Sequence, residues 1–215
     1  MRNVLLSLFT LFALFYVFFL NVLDEQWYML FKLIPMILLL VLAFTTTTNH
    51  TKRYKLLVSI GLVFCAIGDY TLQWFLIGLS SFLIGHIFYI FAFRSTNEAS
   101  TPLFTKIGLS VYGLVMAFWI AGSLFITNDY VMAVAVIAYI CVILTMGWMS
   151  FRTGTIWAIV GALLFIASDS VLAVNKFTIS VPFSHEIIMF TYYGAQLCFV
   201  MSIVKYDELR SKVVQ

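Results

Sequence analysis

Long apolar runs alternate with short polar breaks along the chain, and each run is close to the roughly 20 residues that an α-helix needs to cross a bilayer. Eight such runs can be marked, near 4–20, 27–44, 56–73, 76–93, 107–126, 129–149, 155–174 and 185–204. The breaks leave no room for a soluble domain, so the pattern predicts an all-α polytopic bundle of eight transmembrane helices, a single domain over residues 1–215. The run after Arg2 has the apolar character of a secretory signal, yet Asn21, Val22, Leu23 and Asp24 follow Leu20 without the small-residue cleavage pattern. It is expected to remain as the first span.

Composition strengthens this picture. Hydrophobic residues make up 63% of the chain and charged residues 10%, with a mean hydropathy of +1.06, far from the range of soluble domains. The charges that remain are sorted by side. Arg2, Lys52, Arg53, Lys55, Arg94, Lys106, Arg152, Lys205, Arg210 and Lys212 all fall on one face of an eight-span arrangement. The positive-inside rule makes that face cytoplasmic and places both termini there. Asp24, Glu25, Asp129 and Glu186 lie on the other face with Lys32 and Lys176. The net charge of +3 therefore reflects topology and gives no sign of a nucleic-acid partner. The expected location is a cell membrane, crossed several times, with a bacterial inner or plasma membrane as the natural setting. Cys65, Cys141 and Cys198 fall inside spans, are odd in number and have no ligand-spaced neighbours, so neither a disulfide framework nor a metal site is expected.

Two carboxylates break the apolar pattern. Asp69 ends the stretch GLVFCAIGDY and Asp169 lies in GALLFIASDS. A charge at mid-membrane costs about 2.5 to 3.5 kcal/mol even on lenient scales, so such residues point to function. Each lies about 14 residues along an outward-running span, roughly 20 Å at 1.5 Å per residue. Gly61, Asp69 and Leu72 match Gly161, Asp169 and Leu172 at one offset, and an even number of spans separates them, which suggests a parallel internal repeat. The pair is expected to face one polar cavity in the outer half of the membrane.

Other polar side chains cluster by helical spacing. His86 and Tyr89 share a face of the fourth span with Gly78 and Gly85, and Tyr192 and Tyr193 precede Gln196 on the eighth. His86, Tyr193 and Gln196 are expected to line the same cavity, and Lys32 and Lys176 to stand at the outer interface. Plainer readings exist for each: carboxyls that bridge helices, a packing histidine, snorkelling lysines and an aromatic belt. Functionally, a proton-coupled secondary transporter of a small or lipid-like solute would also use paired Asp and His residues. Against it, Pro35 is read near the start of its span and Pro102 and Pro182 in loops, which leaves few signs of broken helices. An intramembrane aspartyl protease shares only Gly68-Asp69, and a lipid-binding scaffold without turnover is the third alternative.

The segments FKLIPM, GLVFCAIGDYTL, FLIGHIFYIFAF, GALLFIASDSVLAVNKF and TYYGAQL together resemble the YhhN family of membrane proteins, which includes the lysoplasmalogenases. The resemblance runs in family order over nearly the whole chain, with Leu33 standing where the family pattern has Pro. It implies an eight-helix ether hydrolase that cleaves the vinyl-ether bond of lysoplasmalogens, giving a fatty aldehyde and glycerophosphoethanolamine or glycerophosphocholine. The family's polar residues then fall on Lys32, Asp69, His86, Tyr89, Ser168, Asp169, Asn175, Lys176, Tyr193 and Gln196, and Tyr192 joins them by its place on the same helical face. The chemistry fits two carboxylates without metal or cofactor: one protonates carbon, the other activates water and stabilises the cationic intermediate. Asp69 is expected as the acid and Asp169, next to the Ser168 hydroxyl, as the base. The substrate is expected to enter sideways from the membrane lipids, with Lys32 and Lys176 on its phosphate.

Overall fold

In a computed structural model that describes residues 1–22, 24–96 and 99–214, the chain forms eight α-helices. They are α1 (Arg2–Phe18), α2 (Glu25–Thr45), α3 (Lys52–Thr71), α4 (Phe75–Arg94), α5 (Leu103–Ile126), α6 (Tyr130–Ser150), α7 (Ile156–Phe177) and α8 (Ser184–Val214). Single 3-10 turns follow α1 and α6. No strand occurs among the described residues. Leu23 in the first break, Asn97 and Glu98 in the fourth, and Gln215 lie outside the described residues.

Helices α2 to α8 are long and apolar enough to cross a membrane, which makes this a multi-pass membrane protein. α1 has 17 residues, about 26 Å at 1.5 Å per residue, and stands at the short end of spanning lengths. Its Phe9, Ala13, Tyr16 and Val17 form one buried stripe, and the helix packs through α2 and α8. Two helices outrun their hydropathy. α5 begins at Leu103 rather than 107, directly after Pro102, which precedes a helix without loss because its missing N–H has no intrahelical partner there. α8 continues beyond 204 to Val214, because Lys205, Glu208, Arg210 and Lys212 are good helix formers and Lys205 and Glu208 pair at 2.9 Å. Apolarity ends where the membrane does; helical hydrogen bonding need not.

Pro35 corrects one expectation. It lies in the middle of α2, not near its start. Having no N–H, it cannot complete the helical bond to the Phe31 carbonyl. One residue further, the Lys32 carbonyl accepts a hydrogen bond of 2.8 Å from the Tyr193 hydroxyl of α8, so a neighbouring helix supports the backbone at this point.

The packing repeats. α3 lies along α4 and α7 along α8, α1 pairs with α2 and α5 with α6, and α2 packs on α8 as α6 packs on α4. Gly61 explains how closely α3 and α4 approach: a Cβ there would lie 2.5 Å from the Tyr89 ring and 3.0 Å from the Gly85 carbonyl. Gly161 does the same in the second pair, where a Cβ would meet the Phe199 ring at 2.8 Å and the Ala195 carbonyl at 3.1 Å. The chain is thus two similar four-helix units, α1–α4 and α5–α8, and Asp69 and Asp169 occupy the same place in each.

Candidate active site

Asp69 is 2% exposed on α3 and its charge is answered from two other helices. The Lys32 ammonium of α2 lies 3.5 Å from Oδ1 and donates at 3.1 Å to the main-chain carbonyl of the same residue. The Tyr192 hydroxyl of α8 donates to Oδ2 at 2.6 Å. Lys32 is therefore turned into the bundle, its side chain 14% exposed, rather than stretched to the interface. A buried carboxylate needs such partners, since removing it from water costs several kcal/mol.

Asp169, on α7, has a different setting. Its Oδ2 accepts a hydrogen bond from the Tyr139 hydroxyl of α6, and among the described residues no cation stands within ion-pair distance. It lines a cavity of about 60 Å³ enclosed by α4, α5, α6 and α7, together with the end of α3. That volume admits several water-sized groups, each needing about 10–15 Å³. The walls are Leu79, Phe82, Met116, Ile120, Val136, Ile143 and Ile166, and the polar exceptions are Tyr112, Tyr139, Asp169 and Ser170. Tyr112 donates to Ser170 at 2.6 Å across the α5–α7 contact.

Aromatic contacts link the surroundings of the two carboxyls, from Tyr192 on Asp69 through Phe165 and His86 to Tyr139 on Asp169. Tyr192, on Asp69, meets Phe82 at 6.0 Å and Phe165 at 5.4 Å between centroids, both edge to face. His86 is fully buried against Phe165 at 4.4 Å and Tyr139 at 5.4 Å, and neither of its ring nitrogens makes a hydrogen bond. Tyr89 donates to the Gln196 side-chain oxygen at 2.7 Å, which ties α4 to α8 below this layer. The expected single polar cavity is not what forms: the cavity is apolar, it takes in Asp169, and Asp69, His86, Tyr193 and Gln196 are not among its lining residues. Asp69 lies behind Tyr192, whose ring packs on Phe82 of the cavity wall and on Phe165.

The remaining expected residues scatter by role. Ser168 donates to the Ile188 carbonyl at 3.0 Å and so turns away from Asp169. Asn175 accepts the Val181 amide at 2.9 Å and shapes the α7–α8 turn. Lys176 is exposed and lies 4.5 Å above the Phe75 ring, beside the cavity rather than beside Lys32. Tyr139 was not anticipated from sequence. Its signal was present: a single hydroxyl in the otherwise apolar run VMAVAVIAYICV, where a phenol inside a span needs a partner.

Comparison with known proteins follows the same lines. The model of the YhhN family matches residues 27–203. Lysoplasmalogenase TMEM86A of Bos taurus is 36% identical over 169 residues, which cover 70% of this chain and 66% of that protein, so the match spans about two thirds of its length. Lysoplasmalogenase TMEM86B of Mus musculus is 31% identical over 187 residues, 85% of this chain and 77% of the relative. A lysoplasmalogenase homolog of Dictyostelium discoideum is 25% identical over 202 residues, 74% of this chain and 66% of its own. No solved structure matches.

Proposed function

Because the chain belongs to the YhhN family, we propose that it is a lysoplasmalogenase, an ether hydrolase acting on the vinyl-ether bond of a lysophospholipid that enters from the surrounding membrane. The observation that carries this reading is Asp169: a carboxyl held by a phenol at the wall of an apolar cavity, with an ion-paired second carboxyl at the matching position of the other four-helix unit.

The reaction divides between the two. Asp169 gives its proton to the vinyl carbon that bears R in R–CH=CH–O–R′, and the carbon bonded to oxygen becomes the centre of an oxocarbenium ion. Water adds to that carbon and releases a proton, for which Asp69 is the acceptor, and its negative charge opposes the positive charge of the intermediate. The hemiacetal then collapses to R–CH₂–CHO and HO–R′: Asp69 returns the proton it accepted to the leaving oxygen of R′, and the hemiacetal hydroxyl proton replaces the one Asp169 gave. One water is consumed and every proton is accounted for. This assignment reverses the one drawn from sequence. That choice rested on Ser168 beside Asp169, and the Ser168 hydroxyl is engaged by the Ile188 carbonyl instead. The acid must reach carbon inside an apolar pocket, and Asp169 is the carboxyl that opens on one.

The apolar walls suit the vinyl-ether end of the chain, while its remainder lies along the lipid-facing helices. Lys176, exposed beside the cavity, is the cation placed to meet the phosphate. In this reading the site lies in the outer half of a cell membrane with both termini cytoplasmic, which the distribution of basic residues supports. Purified protein in detergent, given a lysoplasmalogen, is expected to release fatty aldehyde, and Asp169→Asn is expected not to. Aldehyde release absent from the folded wild-type protein would overturn the reading.

A further inference from the structure

In the second four-helix unit Tyr139 meets its carboxyl from the helix that corresponds to the one bearing Lys32 in the first. α2 and α6 are both 21 residues long, each precedes the Asp-bearing helix, and each sends one side chain onto its carboxyl. The equivalence extends to the next helix. Tyr192 of α8, which donates to Asp69, corresponds to Phe82 of α4, and the two rings meet each other at 6.0 Å. The same shift relates Tyr89 to Phe199, which share a contact at 4.6 Å and which each close over the glycine of the preceding helix, Gly61 and Gly161. The first unit therefore surrounds its carboxyl with an ammonium and a hydroxyl. The second gives its carboxyl one phenol, and where the second hydroxyl would come from there is a phenylalanine.

We propose that Tyr139 is a positioning residue for proton donation by Asp169; the proposal rests on the reading of Asp169 as the acid. An ammonium at this place would hold the carboxyl ionised and leave it nothing to give. A phenol does not fix the charge. It binds Oδ2 and so leaves Oδ1 as the oxygen that carries and delivers the proton, and it still donates once the proton has left. A hydrogen bond to a charged acceptor is roughly twice as strong as one to a neutral acceptor. The bond therefore tightens as negative charge develops on Asp169, which stabilises the transition state more than the ground state. The Tyr139 ring is held for this task by His86, packed edge on at 5.4 Å, which is itself seated on Phe165.

The test is Tyr139→Phe in the full chain, assayed on a lysoplasmalogen. Turnover is expected to fall about 10- to 100-fold with KM changed less than about twofold and with the thermal midpoint retained. Tyr139→Lys, which copies the arrangement of the first unit, is expected to lose more. As a second pair, Tyr139→Gln keeps a donor and is expected to retain more turnover than Tyr139→Leu, of similar size without one. Wild-type kcat in Tyr139→Phe, a change confined to KM, or equal losses in the Gln and Leu variants would overturn the role of Tyr139. An inactive wild-type protein would instead remove the activity itself, so the two failures are distinguishable.

Discussion

Lys32 and Asp69 lock α2 to α3 by two contacts, an ammonium 3.5 Å from Oδ1 and a 3.1 Å hydrogen bond to the main-chain carbonyl. The second contact ties Lys32 to the helix as well as to the charge. Lys32→Met should therefore strand a buried carboxylate, for which losses of about 3 kcal/mol are usual. Thermal unfolding in detergent is expected to show a lower midpoint for Lys32→Met, with partial recovery in Lys32→Met/Asp69→Asn. A Lys32 that only held phosphate would leave the midpoint unchanged and raise KM alone.

Asp69→Asn and Asp169→Asn should each remove turnover while the protein stays folded. Acid and base contributions of this kind are typically worth ~10²- to 10⁴-fold. Aldehyde release per folded protein is the measurement, and full activity in either variant would return that residue to helix packing.

Lys176 is exposed beside the cavity whereas Lys32 is engaged by Asp69, so in the proposed reaction Lys176 meets the substrate phosphate. Lys176→Ala is expected to raise KM severalfold with kcat within about twofold, the pattern of a group that binds ground and transition states alike. A steady-state series at saturating and limiting substrate separates the two constants.

The paired glycines should respond alike. Gly61→Ala forces a methyl against the Tyr89 ring, which is tethered by its hydroxyl to Gln196, and Gly161→Ala forces one against Phe199. Overpacking of this sort costs about 1–3 kcal/mol. Both variants are expected to lower the thermal midpoint, whereas Gly108→Ala, where an added Cβ meets nothing within 4 Å, should not.

The sequence alone determined the number and order of the helices and the position of each carboxyl along its helix. A backbone in lipid must close its own hydrogen bonds, so a run of about 20 apolar residues has only one way to cross. Depth then follows from counting residues at a fixed rise. The rotation of each helix about its axis was not determined in this way. In water a core face is apolar and an outer face polar, but here both faces are apolar: Val134 faces outward and Val136 is buried on the same helix. Only packing chose between them, through close contacts such as Gly61 on Tyr89 and Gly161 on Phe199. That choice turned Lys32 inward, brought Tyr139 onto Asp169, took the Ser168 hydroxyl to Ile188, and packed the Tyr192 ring that holds Asp69 against Phe82 and Phe165. Depth along a helix is local, fixed by the chain's own geometry; azimuth is collective, fixed by all the neighbours at once.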